Sequence, residues 1–292
     1  MFVVAGVNGH TGSVVADTLL TRGQKLRVIV RDAARGQAWR AKGADVAVGS
    51  LDDRAALARA FAGTDGAYVL LPPDLAAERF LDERRRMADA IAAAVRDSDL
   101  QHIVFLSSIG AHLPQGTGPI LALRHGEEAL QAVMDALTIL RAPFFMENWL
   151  PVLPVAKAHG VLPSFISPDR QIPMIATTDI GHLAAECLMD QATGVRVLEL
   201  VGPKPYSPRD VAAAASKQFA RTVTVQHLPL EQVVPQLTSF GISRHMATLF
   251  ADMYAAIETG RLVHEGRQGC CQPRGLVTLE EALFGSIVAP AA

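Results

Sequence analysis

Little cysteine, few aromatic residues and almost no net charge set the first limits on this chain of 292 residues. Its three cysteines, Cys187, Cys270 and Cys271, argue against a disulfide framework. Cys187 falls on an apolar helical face and reads as core, and the vicinal Cys270–Cys271 pair lacks the spacing of a CxxC redox or zinc motif. The nine histidines are scattered, with no His/Cys/carboxylate cluster at metal-ligand spacing, so no metal is expected. A formal charge of −2 without a dominant basic patch argues against nucleic acid or an acidic membrane surface as a partner. No apolar run is long enough to cross a bilayer, and no basic segment precedes the first apolar run as in a signal peptide. The expectation is a soluble, cytoplasmic protein. Hydrophobic residues make up 50% of the chain, enough for a substantial core in one large or two modest domains.

The opening run carries the most information. A short apolar strand from Phe2 leads into Gly6-Val-Asn-Gly9-His-Thr-Gly12, and an amphipathic helix follows. Gly6 suits the tight turn, Gly9 lets the backbone approach a pyrophosphate, and Gly12 lets the helix lie against the strand. The helix N-terminus, with Asn8, His10 and Thr11 around it, would face the anion. A second strand, Leu26–Val30, ends at Arg31 where a dinucleotide fold otherwise places an acid for the ribose hydroxyls. A guanidinium there suits a 2′-phosphate, favouring NADP(H), with NAD(H) the alternative; the bland reading pairs Arg31 with Asp32 on the surface.

Short β-branched runs and longer helical stretches alternate as far as Arg141. Strands are predicted at Phe2–Ala5, Leu26–Val30, Asp45–Val48, Ala67–Leu71, His102–Leu106 and Thr138–Leu140. Helices are predicted at about Gly12–Arg22, Ala33–Lys42, Arg54–Phe61, Leu75–Arg96 and Glu127–Asp135. That alternation implies a Rossmann-type α/β fold, a doubly wound parallel sheet with helices on both faces. Past Phe145 the rhythm breaks. Residues 149–175 are rich in proline and apolar residues, a helix is expected from Thr178-Asp179 through Met189, and a strand at Val197–Val201. Ser207-Pro208-Arg209-Asp210 reads as a capped helix start running to about Phe219. Thr222–His227 reads as a strand and residues 230–259 as one or two helices. The division expected is a nucleotide-binding domain over 1–148 and a smaller, interleaved α+β substrate lobe over 149–292. About 176–201 of that lobe should pack back on the first domain.

Taken together the chain resembles the NmrA-like family of atypical short-chain dehydrogenase/reductases. The resemblance is carried by Gly6–Gly12, Val30-Arg31-Asp32, Gly63-Thr-Asp-Gly-Ala-Tyr-Val-Leu-Leu-Pro-Pro73 and Phe105-Leu-Ser-Ser-Ile-Gly110. It continues through Thr138–Arg141, Phe145-Met-Glu-Asn148, Ile172–Ile175 with Asp179-Ile180, and Leu200–Pro203. It implies an NAD(P)H-binding protein. Some members reduce quinones or azo compounds, and others are redox sensors, which would act through a protein partner. Common short-chain dehydrogenases use a Tyr-x-x-x-Lys pair, in which the ammonium lowers the phenol pKa. Here the positions four beyond the three tyrosines are Pro72, Asp210 and Glu258. The lysine slot falls at Arg124 or His125 and the tyrosine slot at Ile120 or Leu121.

Weak catalytic candidates are therefore His112, Arg124 and His125, with an ordinary surface role as the alternative for the histidines. Ser107 and Ser108, at a strand end, either bond the cofactor or substrate or cap the following turn. Leu71 and Pro72 either floor the cofactor path or simply stop a strand. Phe145, Met146, Asn148 and Trp149 either form a pocket for a flat aromatic substrate or belong to the core joining the lobes. The expected function is hydride transfer to an electron-poor acceptor such as a quinone, the alternative a non-catalytic NADP(H) sensor.

Overall fold

The computed structural model describes residues 1–190, 192–266 and 271–285. Its first half alternates strand and helix: β1 (Phe2–Val4), α1 (His10–Thr21), β2 (Leu26–Val30), α2 (Gln37–Ala41), β3 (Asp45–Val48), α3 (Arg54–Phe61), β4 (Gly66–Leu70), α4 (Phe80–Arg96), β5 (Ile103–Ser108), α5 (Ile120–Gln131) and β6 (Leu137–Ala142). The second half adds β7 (Phe144–Phe145), α6 (Leu153–His159), β8 (Val161–Ser164), β9 (Ile172–Ile175), α7 (Thr177–Asp190) and β10 (Val195–Glu199). It ends with β11 (Pro205–Tyr206), α8 (Pro208–Phe219), β12 (Thr224–His227), α9 (Val233–Ser239), α10 (Arg244–Glu258) and α11 (Leu279–Phe284).

Seven strands form one parallel sheet in the order β3-β2-β1-β4-β5-β6-β10. This is the Rossmann-type α/β fold expected from the alternation. Phe2, Val4, Val28 and Tyr68 turn one sheet face toward α1 and α7, where Val15, Leu19, Ile180 and Leu188 cover them. Val3, Val69, Phe105 and Ile139 turn the other toward α3, α4 and α5, under Leu57, Phe61, Ile91 and Leu130. The central strands β1, β4, β5 and β6 are buried on both faces, which is why they read as continuous apolar runs rather than alternating ones.

The reversal in strand order lies between β1 and β4, so the carboxyl ends there open onto a crevice. A second core over that crevice gathers Met146, Trp149, Leu153, Ile166, Tyr206, Val211 and Leu279. Two small sheets, β11-β9-β7 and β12-β8, frame it. Ser207 caps α8 as the sequence suggests. Its Oγ accepts from the Asp210 amide at 3.2 Å and Asp210 accepts from the Ser207 amide at 2.7 Å, a box worth about 1 kcal/mol.

Three helix starts differ from the sequence expectation, the first being α2, which begins at Gln37 behind a 3₁₀ turn over Ala34–Gly36 rather than at Ala33. α4 begins at Phe80 rather than Leu75 because the intervening backbone is bonded elsewhere. The Leu75 and Ala77 carbonyls accept from the amide and hydroxyl of Ser243, the N-cap of α10. α5 begins at Ile120, well ahead of Glu127, and its buried stripe runs through Ile120, Ala122, Glu127 and Leu130. An acid inside that stripe interrupts the apolar period by which a helix is read. β10 starts two residues earlier than expected, at Val195, and residues 149–175 hold α6, β8 and β9.

Candidate functional site

A cavity of about 720 Å3 runs along the carboxyl ends of β1, β2, β4, β5 and β6 and on beneath α10. At its centre is the glycine turn. Gly6 sits at φ +65°, a conformation side chains resist, and its carbonyl accepts from the Gly9 amide at 2.9 Å. A Cβ on Gly12 would stand 2.3 Å from that carbonyl, so only glycine lets α1 lie this close beneath the turn. Gly6, Asn8, Gly9, His10 and Thr11 line the cavity, and Gly12 packs below them. Thr11 Oγ1 accepts from the fully buried Tyr68 hydroxyl at 2.8 Å. Burial holds that phenol well above its ordinary pKa, so it stays a donor.

Arg31 and Arg35 stand in the wall beyond the end of β2, beside Gly49, Ser50 and Leu51. Asp32 does not compete for Arg31. Its carboxylate accepts from the Arg35 amide at 3.0 Å and pairs with Arg35 Nε at 3.2 Å. Among the described residues no carboxylate pairs with Arg31. Asn8 ties this loop to the glycine turn, its amide donating to the Arg35 carbonyl at 3.2 Å and its oxygen accepting from Trp39 Nε1 at 3.0 Å. Trp39 escaped the sequence reading, although a buried tryptophan with one N–H to satisfy is a signal in an aromatic-poor chain.

The opposite end is mostly apolar. Leu71 and Pro72 form its floor, and Pro119, Ile120, Ala122 and Leu123 of α5, with Phe144, Phe145 and Asn148, its walls. Ser107 and Ser108 also line it, but their protons are committed. Ser107 donates to Glu127 at 2.5 Å and Ser108 to the Ile109 carbonyl at 3.0 Å, leaving only their lone pairs for a ligand. Glu127 is buried and bonded to Arg141 through Nη2 at 2.6 Å and Nε at 2.9 Å. Burial alone would lower the Arg141 pKa, but its bonds to Glu127 and Glu265 outweigh that and keep it charged. Residues 261–266 close this end. Leu262 lines the cavity, His264 Nε2 bonds the Leu200 carbonyl at 2.9 Å, and Glu199 accepts from the amides of Glu265 and Gly266 at 2.5 and 3.1 Å.

Several expected site residues stand elsewhere. Met146 and Trp149 are buried in the second core, while Phe145 and Asn148 reach the cavity. These residues belong to the 3₁₀ turn Met146–Val152 and its N-cap. Positions three apart share a face in such a turn, so 145 and 148 go one way and 146 and 149 another. His112, Arg124 and His125 are also outside the wall. Arg124 donates to the His112 carbonyl at 2.7 Å and pairs with Glu128 at 2.8 Å, and His125 pairs with Asp89 at 2.7 Å. Of the positions proposed for a tyrosine or lysine, only Ile120 lines the cavity.

One wall residue is unusual for apolar surroundings. Arg84 of α4 has a side chain only 6% exposed, donates to the Pro72 carbonyl at 2.7 Å and lies 5.4 Å from the Phe80 ring centroid. Cys187 is buried, which pushes its thiol up to about 11, and Cys271 is exposed. Cys270 lies outside the described residues. Among the described residues no cluster of three metal-capable side chains occurs, and no helix is long and apolar enough to cross a membrane.

The glycine cradle, the arginine-lined end and the length of the cavity fit a dinucleotide. The sequence profile of the NmrA-like family matches residues 1–263. The chain is 26% identical over 257 residues to the NAD(P)H azoreductase of Xenophilus azovorans, covering 87% of this chain and 86% of that protein. It is 27% identical over 272 residues to quinone oxidoreductase 2 of Escherichia coli, covering 91% of each. The fold superposes on an E. coli NADPH-dependent quinone oxidoreductase solved with NADPH, with TM-score 0.81, 24% identity and coverage of 97% and 98%.

Proposed function

The chain belongs to the NmrA-like family, and from that premise we propose that it is an NADPH-dependent reductase of quinone-like acceptors. One observation carries the reading: a single cavity joins an end built for phosphates to an apolar end without an acid–base side chain. The names of the azoreductase and quinone oxidoreductase relatives support it, since both act on electron-poor acceptors.

Arg31 and Arg35 would hold the 2′-phosphate through charge-assisted bonds, and the amides at the start of α1 would face the pyrophosphate. The cavity also takes NADH, with less to bind. When bound, the dihydronicotinamide supplies a hydride, and a quinone that takes it with one solvent proton becomes the hydroquinone. Leu71, Pro72, Leu123 and Phe145 bound the space where the acceptor lies and exclude water from it. Asn148 is the exposed amide at that end, placed to bond an acceptor oxygen. A quinone needs no side-chain acid, because its oxygens delocalise the arriving charge.

The test follows NADPH oxidation at 340 nm across a panel of quinones, beside a calorimetric NADPH titration. Turnover with several quinones is the expected result. Tight binding without turnover on any acceptor would replace the reductase with an NADP(H) sensor.

A further inference from the structure

Two buried arginines differ in how their charge is met. Arg141 has two carboxylates at 2.5–2.6 Å. Arg84, as deeply buried, has none that close. Its nearest, Glu83, stands 3.6 Å from Nη2, beyond a good hydrogen bond. The other hydrogen-bond partners of Arg84 are the Pro72 carbonyl and the Met87 sulfur at 3.9 Å, its Nε has none, and the Phe80 ring centroid lies 5.4 Å from its guanidinium. A buried cation is costly unless paired. Arg84 nonetheless sits in the wall of the cavity, next to Phe80, Met87, Ala122 and Leu123. The phosphates of a dinucleotide do not account for it, because Arg31, Arg35 and the start of α1 already serve them.

We propose that Arg84 is the specificity residue of the acceptor subsite, and that the preferred acceptors are flat aromatic compounds bearing a carboxylate or sulfonate. The proposal rests on the reductase reading for the reaction, though not for the binding. A guanidinium offers a planar fork of donors that matches either oxyanion. The apolar side chains around it take the ring, and their low polarity strengthens the ion pair.

The experiment compares 1,2-naphthoquinone-4-sulfonate with 1,2-naphthoquinone in the parent, Arg84→Met and Arg84→Lys. Comparing the ratio of kcat/KM values across variants cancels the difference in intrinsic reactivity. In Arg84→Met that ratio should fall roughly tenfold to a hundredfold, the loss of one charge-assisted bond. The NADPH Kd should hold, the neutral quinone should lose much less than the sulfonated one, and Arg84→Lys should recover part of the preference. An equal loss for both quinones would reduce Arg84 to an anchor for the Pro72 carbonyl, and a raised NADPH Kd would hand it to the cofactor. Either result overturns the proposal.

Calorimetric titration of 2-naphthalenesulfonate into NADP⁺-loaded protein separates the two readings. Sulfonate binding lost in Arg84→Met without turnover in the parent would sink the reductase and keep the subsite. Equal binding in parent and variant sinks the subsite whatever turns over. If Arg84→Met does not fold, Arg84→Lys decides the matter: a lowered ratio with weaker sulfonate binding supports the subsite, because the fork is lost, and an unchanged ratio with unchanged sulfonate affinity overturns it.

Discussion

At one end of the cavity Arg31 and Arg35 stand on an exposed loop, held there by Asn8 and Trp39. At the other, α5 presents Pro119, Ile120, Ala122 and Leu123, and the two serines have already given their protons away. On the function proposed above, the first end would recognise by charge and by backbone amides, the second by shape and by exclusion of water. A ligand held by charge has one register, so on that reading the first end would fix where the cofactor lies. The second end leaves the choice of acceptor wide, and the few polar groups there, Asn148 and Arg84, acquire disproportionate weight.

The contrast can be broken most severely at the glycine turn. Gly9 has an ordinary extended backbone, φ −99° and ψ 174°, and a Cβ there meets only the Gly6 carbonyl, at 3.2 Å. Gly9→Val should therefore fold, with a melting temperature near the parent's, yet bind NADPH roughly a hundredfold or more weakly through loss of amide–phosphate bonds. Unchanged binding by calorimetry would mean that the phosphates lie elsewhere.

Arg31→Ala tests the charged end alone. NADPH should weaken roughly tenfold to a hundredfold and NADH stay nearly constant. Equal losses would remove Arg31 from the 2′-phosphate. At the apolar end the expectation is reversed. His112→Ala, Arg124→Ala and His125→Ala should each keep turnover within a few-fold, not the ~10²–10⁴-fold loss of a deleted general acid. Collapse of turnover in any of them, with NADPH affinity intact, would restore side-chain acid catalysis.

The smallest effect on the cavity comes from His102, remote from both ends. Its Nε2 is 3.0 Å from Thr138 Oγ1. Burial, helped by Arg196, pushes its imidazole down to about 4 from the ordinary 6.5. The neutral form is thus favoured by folding. That contribution is complete above about pH 6.5 and is lost as the pH falls toward 4, a change on the order of 3 kcal/mol. His102→Gln should flatten the fall of the melting temperature across that window and leave the NADPH Kd alone. Parallel melting curves would refute the assignment.

The charged end was the legible one. Gly6, Gly9 and Gly12 belong to one strand–turn–helix unit and Arg31 directly follows the next strand, and such features are written close together in a sequence. The apolar end is assembled from distant segments. Met253, Ile257 and Leu262 reach it from the far end of the chain, and nothing in their local pattern distinguishes a wall from a core. Arg84 was hidden for a related reason: in a helix containing three other arginines, only packing tells which one is buried. The start of α5 was obscured by Glu127, whose partner Arg141 is on β6. The capping box of α8 needs only four consecutive residues and could be read directly.

The order of the strands bears on how the chain is made. β10 completes the sheet beside β6, each residue from Val195 to Glu199 pairing with one from Leu137 to Arg141. Between those strands the ribosome must deliver the whole stretch from β7 through α7. At the usual ~5–20 residues per second the β6 edge waits about 3–10 s for its neighbour. Throughout that interval a row of unpaired backbone groups, flanked by Ile139 and Leu140, is open to strands of other nascent chains. Overproduction of a chain truncated just before Val195 should therefore yield aggregate, whereas truncation after Glu199 should relieve it. For this protein, the hazard in biosynthesis lies in a seam between an early strand and a late one.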